Sequence, residues 1–176
     1  MAFIVSNRLI AACLCFGLSV VLVGCGSDKP PRSAVIASNK NAVRIKHISQ
    51  REGGQELMLH GMSLIGTPYV YGGSSRQGFD CSGMVQYLYR QALGVSLPRT
   101  AKNIAAASQH IRQSDLQVGD LVFFNTTGQP FSHVGLYIGN DQFIHAPSSK
   151  GVIRTENLSQ SYFKRRFTGA YTLFAR

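Results

Sequence analysis

Near its middle the chain changes the spacing of its apolar residues, and that change does most to limit the fold. Leu57, Met58, Met62 and Ile65 recur at helical spacing over residues 54–65, and Gly66 and Pro68 close that helix. Val85, Leu88, Tyr89 and Leu93 make a second apolar stripe over residues 81–93, which Gly94 stops. Thr100 is placed to cap a third helix reaching about residue 108. After that the pattern becomes short apolar runs between turns, at 121–124, 133–138 and 142–146. Residues 152–154 and 168–174 can complete the sheet. Helices followed by strands predict an α+β fold with a small antiparallel sheet, because a doubly wound sheet needs the two to alternate. At 176 residues there is room for one such domain and a short extension, but not for two full-size enzymatic domains. No internal repeat is present.

The extension lies at the N-terminus. Arg8 is the only charge before Asp28, and the apolar run at residues 9–23 is 15 long, short of the roughly 20 that cross a membrane. It fits the core of a secretory signal. The run ends in Leu22-Val23-Gly24-Cys25, which resembles the lipobox of bacterial lipoproteins. The resemblance implies cleavage before Cys25, a diacylglyceryl group on its sulfur and a further acyl chain on its new amino end. Several chains anchor stably where one does not. Gly26, in place of an inner-membrane retention Asp, points to the outer membrane, with the protein facing the periplasm. The expected organisation is a signal peptide at 1–24, a lipidated flexible tether at 25–52 and a domain at 53–176. The tether is rich in Ser, Asn and Pro, and only Val43, Ile45 and Ile48 are suited to order against the domain.

The chain carries 18 Lys and Arg against 8 Asp and Glu. Such a balance suggests nucleic acid, an anionic membrane or an acidic polymer. Export and the lack of any recognised module exclude nucleic acid. Six of the basic residues lie in the tether against Asp28 and Glu52, an arrangement suited to an anionic leaflet. Lys164-Arg165-Arg166 reads as a solvated face or as a contact for anionic wall polymer.

Of the four cysteines, Cys13 and Cys15 leave with the signal and Cys25 is lipidated, so Cys81 is the one thiol of the expected mature chain. It follows Asp80 and opens a predicted helix, whose N-terminal partial charge would lower the thiol pKa while Asp80 opposes this. His133 and His145 sit on two strands joined at Gly139-Asn140-Asp141. A three-residue turn pairs Ile138 with Gln142 and Gly135 with His145, which puts both histidines on one face; a two-residue turn separates them. One imidazole can then take the thiol proton while the other orients it. Taken singly, a helical Cys packs and a strand His is half-buried. His-x11-His with one distant Cys lacks the close ligand pairs of zinc sites, so no metal or cofactor is expected.

Six motifs occur in order: Tyr69-x-Tyr-Gly-Gly, Asp80-Cys81-Ser82-Gly83, Leu97-Pro98-Arg99-Thr100, Gly119-Asp120-Leu121, His133-Val134-Gly135-x-Tyr137-Ile138-Gly139 and His145-Ala146. Over about residues 54–176 this order resembles the NlpC family of bacterial cell-wall cysteine peptidases. The resemblance implies a papain-like α+β fold with a nucleophile helix packed on a small antiparallel sheet. It implies Cys81 as nucleophile, His133 as general base, His145 as the third polar residue and Tyr69 beside the oxyanion. Asp80 and Ser82 match substrate-binding positions and Arg99 a groove-lining one. Capping accounts equally for Asp80, and a solvated helix entry for Arg99. The implied substrate is the peptidoglycan stem peptide, cut at the cross-link between D-Ala and meso-diaminopimelate or between D-Glu and the diamino acid. The implied partners are those peptides and, through the lipid anchor, the membrane; a regulatory adaptor or protease stays open. Two other classes stay open as well: a wall-binding lipoprotein that keeps the fold without catalysis, and a thiol acyltransferase.

Overall fold

The computed structural model describes residues 42–148 and 151–176. Helix α1 (Gln50–Met62) is capped by Ser49, whose hydroxyl accepts the Glu52 amide and donates to the Glu52 carboxylate. A two-stranded hairpin, β1 (Ser74–Ser75) and β2 (Gly78–Phe79), leads into α2 (Cys81–Leu93). Asp80 caps α2 at one end and Gly94 ends it in the left-handed conformation, so both expected limits hold. Helix α3 (Ala101–Ala107) is capped by Thr100, also as expected.

The remaining strands are β3 (Gln109–Ile111), β4 (Leu121–Phe124), β5 (His133–Gly139), β6 (Gln142–His145), β7 (Arg154–Asn157) and β8 (Phe167–Thr172), with a one-turn helix α4 (Ser161–Lys164) before β8. They form one antiparallel sheet in the order β3-β8-β4-β5-β6-β7. This is the papain-like α+β arrangement expected: helices first, then the sheet they pack on.

The sheet is covered on both faces. Leu121, Phe123, Val134, Leu136 and Ile144 join Leu57, Met84, Val85 and Leu88 of the helices in the larger core. Val122, Phe124 and Phe143 point the other way and pack with Leu158 and Phe163 in a smaller, aromatic core under α4. Burial on both sides explains why β4 reads Leu-Val-Phe-Phe without alternation. Asp120, just before β4, is fully buried. It accepts the Gln117 amide and pairs with Arg176, so the Gly-Asp-Leu motif ties the chain end to the sheet.

Three expectations need correction. Residues 42–52 are not linker: Ile45 is buried beside Phe174, Val43 donates to the Ala107 carbonyl, and α1 already begins at Gln50. Apolar side chains able to reach the core ordered that stretch. The rest of the tether and the signal segment lie outside the described residues. The strand expected at 152–154 lies at Arg154–Asn157, Val152 making only an isolated bridge to Pro68. The turn between β5 and β6 has two residues, Asn140 and Asp141, both left-handed, with Gly139 paired to Gln142. A bulge at Ile138 restores the deeper register, Leu136 to Ile144. Continued by one residue, that register sets Gly135 opposite His145, so both histidines still share a face.

Candidate active site

The site forms where the start of α2 meets the start of β5. Tyr69, Asp80, Cys81, Ser82, Arg99 and His133 line one groove of about 630 Å³. His145 lies behind it; with His133 it lines an adjoining cavity of about 270 Å³. All seven residues singled out in the domain thus gather at one place. Cys25 lies outside the described residues.

On the helix side the groups are charged and mutually bonded. Asp80 Oδ1 accepts the Gly83 amide at 2.7 Å and Oδ2 accepts the Gly72 amide at 3.0 Å. Arg99 closes on the same carboxylate, Nη2 to Oδ2 at 2.5 Å and Nη1 to Oδ1 at 3.0 Å, and reaches Ser82 Oγ at 2.9 Å. Burial works to raise the Asp80 pKa, but the bonds from Arg99 and the Gly83 and Gly72 amides outweigh it and hold the carboxylate below its usual range. The geometry demands glycine at 83: a Cβ there would stand 2.0 Å from the Gly73 carbonyl oxygen. That close approach seats the Gly72-Gly73 turn on the first turn of α2.

Cys81 is a free thiol. The backbone amides of Val134, Ser82 and Cys81 itself favour the thiolate, while burial and Asp80 oppose it. Burial is the largest influence, so the pKa is raised, opposite to the expectation from the helix terminus alone. The influence of Val134 was invisible in the sequence, because it comes from a strand far along the chain from α2.

Across the groove, His133 Nε2 lies 2.8 Å from His145 Nδ1, with the rings nearly perpendicular. Both side chains are buried among Phe124, Phe143 and Phe163. Burial pushes His133 down to about 4; burial, then His133 and Arg154, push His145 down to about 2. Both rings are neutral at neutral pH. Gly135 makes room for this aromatic wall: a Cβ on it would meet Phe143 Cδ2 at 2.6 Å.

Tyr69 completes the groove. Burial, followed by the nearby Cys81 and Asp80, raises its pKa, so the hydroxyl keeps its proton and is available as a donor. Among the described residues no group of three or more His, Cys, Asp or Glu converges as a metal site does, and no helix is long and apolar enough to cross a membrane.

This arrangement gathers a thiol, two neutral imidazoles bonded to each other, and donors from backbone and phenol around one groove, the groups that a thiol hydrolysis would need. Comparison with known proteins agrees. The model of the NlpC/P60 family matches residues 66–172. The chain is 44% identical over 113 residues to murein DD-endopeptidase MepH of Escherichia coli, covering 62% of this chain and 42% of that protein. It is 39% identical over 157 residues to the probable endopeptidase NlpC of the same organism, covering 88% and 94%. A crystal structure of an NLP/P60 family protein similar to lipoproteins, from Staphylococcus aureus, superposes with a TM-score of 0.64 at 31% identity, covering 78% of this chain and 45% of that one.

Proposed function

The chain belongs to the NlpC/P60 family, and from that premise we propose that it hydrolyses the stem peptides of peptidoglycan through the Cys81 thiol. The gathering of Cys81, His133 and Tyr69 on one groove, with His145 bonded behind His133, carries this reading. Similarity to a murein DD-endopeptidase supports the cross-link between D-Ala and meso-diaminopimelate as the bond cut. Cys25 carries the lipid that holds the protein at the outer membrane, facing the periplasm.

In the mechanism, His133 Nδ1 accepts the Cys81 proton while its Nε2–H donates to His145 Nδ1, which fixes the tautomer. The sulfur attacks the scissile carbonyl and an S–C bond forms. Negative charge develops on the carbonyl oxygen, within reach of the Cys81 amide and the Tyr69 hydroxyl, and donors placed there lower the barrier. The C–N bond breaks as His133 passes its proton to the leaving amine. Water then attacks the thioester, His133 takes its proton, and the S–C bond breaks to free the carboxylic acid and restore the thiol. Because the thiol and imidazole start neutral, proton transfer belongs to the attack itself.

The test uses the full chain in detergent with purified peptidoglycan, beside the same chain carrying Cys81→Ala. Loss of cross-linked dimers in the wild type alone, read by mass, is the expected outcome. Shortened single stems would move the bond to D-Glu–diaminopimelate. No Cys81-dependent product would remove the hydrolase reading and leave a wall-binding protein.

A further inference from the structure

His133 lines two cavities. One is the groove that holds Cys81; the other, of about 270 Å³, continues past the imidazole pair and shares Thr126 and Ser148 with the groove. The acyl part of a substrate must turn its carbonyl oxygen toward α2 and Tyr69. Its leaving amine must face His133, which protonates it. Whatever that amine carries is therefore directed along His133 into the second cavity.

That cavity is built around Arg154. The Nε of Arg154 donates to Glu156 Oε1 at 2.7 Å, and Glu156 Oε2 accepts from Gln160 Nε2 at 2.7 Å, so both carboxylate oxygens of Glu156 are engaged. This pins the guanidinium and leaves its Nη1 and Nη2 without a hydrogen-bond partner among the described residues. Tyr162, which lines the cavity, carries Arg166 over its ring at 3.9 Å. Among the described residues Arg154 is the one arginine of the lining, and both histidines are neutral. His145 Nε2, buried at the cavity wall, also has no partner among the described residues. A pinned guanidinium whose two Nη nitrogens are unpaired among the described residues is the side chain best suited to grip a carboxylate.

We propose that this cavity is a leaving-group subsite, in which Arg154 binds a free carboxylate carried on the carbon next to the departing amine. The inference rests on the endopeptidase reading and sharpens it. At the cross-link, the departing amine sits on the D-centre of meso-diaminopimelate, whose own carboxylate is free. At the D-Glu bond, the corresponding carboxyl is joined onward to D-Ala in an intact stem. Arg154 thus selects the cross-link by charge.

Two cross-linked muropeptides test it, one with the D-centre carboxylate and one with a carboxamide there. Titration calorimetry measures their binding to the full chain carrying Cys81→Ala, which prevents turnover. A charged hydrogen-bonded contact of this kind predicts about tenfold tighter binding of the carboxylate. Adding Arg154→Gln is expected to bring that ratio to about one, and adding Arg154→Lys to restore part of it. Equal binding of both ligands with Arg154 intact overturns the subsite and needs no variant at that position; so does a preference that survives Arg154→Gln. Wild-type turnover of the carboxylate ligand is measured in parallel. A clear binding preference without turnover would uphold the subsite and sink the hydrolase reading, so the two failures separate.

Discussion

At the start of α2, Asp80 keeps its charge although it is buried; across the groove, His133 and His145 give theirs up. The difference lies in the partners. Asp80 has a guanidinium and two backbone amides aimed at it, so its charged form is the bonded form. The histidines have each other and a ring of phenylalanines, with no carboxylate bonded to either among the described residues. One flank is a rigid electrostatic brace, and the other is a dry, uncharged base. The Cys81 thiol between them has a fixed platform on one side and a neutral imidazole, able to accept a proton, on the other.

The largest expected effect comes from breaking the dry flank. His133→Ala should lower kcat by about 10²–10⁴-fold, the usual worth of a general base. His145→Ala removes one orienting hydrogen bond and should cost less, about tenfold. Steady-state rates on a cross-linked muropeptide check both, and equal losses would mean that the two rings act only as a unit.

Acid should separate the flanks next. The histidines have folded pKa values below their unfolded value of 6.5, so the unfolded chain takes up protons first. Their contribution is complete above about pH 6.5 and is lost as the pH falls toward about 4 for His133 and about 2 for His145. Each ring should remove about 1.4 kcal/mol of stability per pH unit in that window. Asp80 is also lowered, but from 3.8, so its brace weakens only below about pH 4. Denaturant titrations at pH 7, 6 and 5 should therefore show a slope that His145→Ala flattens and Arg99→Ala does not. A slope common to all three chains would remove the distinction.

The smallest effect concerns the brace itself. The Arg99 side chain is 41% exposed, against 13% for Asp80, so its pairing is partly screened. Arg99→Ala should cost about 1–2 kcal/mol, between a surface and a buried pair. Raising the salt should shrink that difference by a few tenths of a kcal/mol. A salt-independent loss would show that Arg99 acts by packing.

How far the sequence could be read follows from range. The limits of α2 were legible because Asp80 and Gly94 are local signals. The pairing of His133 with His145 was legible in outcome but not in route: a tighter turn and a bulge replaced the looser turn and reached the same register. The edge strands β3 and β7 were missed or displaced, since Gln-His-Ile and Arg-Thr-Glu-Asn carry no apolar alternation and owe their shape to pairing alone. Arg154 was invisible as a site residue for the same reason. Its place behind the histidines is set by the β6–β7 register, which puts it opposite His145. The direction of the Cys81 pKa also depended on burial, which no local signal reveals.

The short segment ahead of α1 has a mechanical meaning. Val43 donates to Ala107, Ile45 donates to Leu173, and Ala175 donates to Ile45. These three bonds fasten the incoming chain between the end of α3 and the last residues after β8. Tension arriving from the N-terminal side is met there first, with Ile45 wedged beside Phe174 as a stop. A pull on the chain from that side therefore loads this clip before it reaches α2, and the groove keeps its shape.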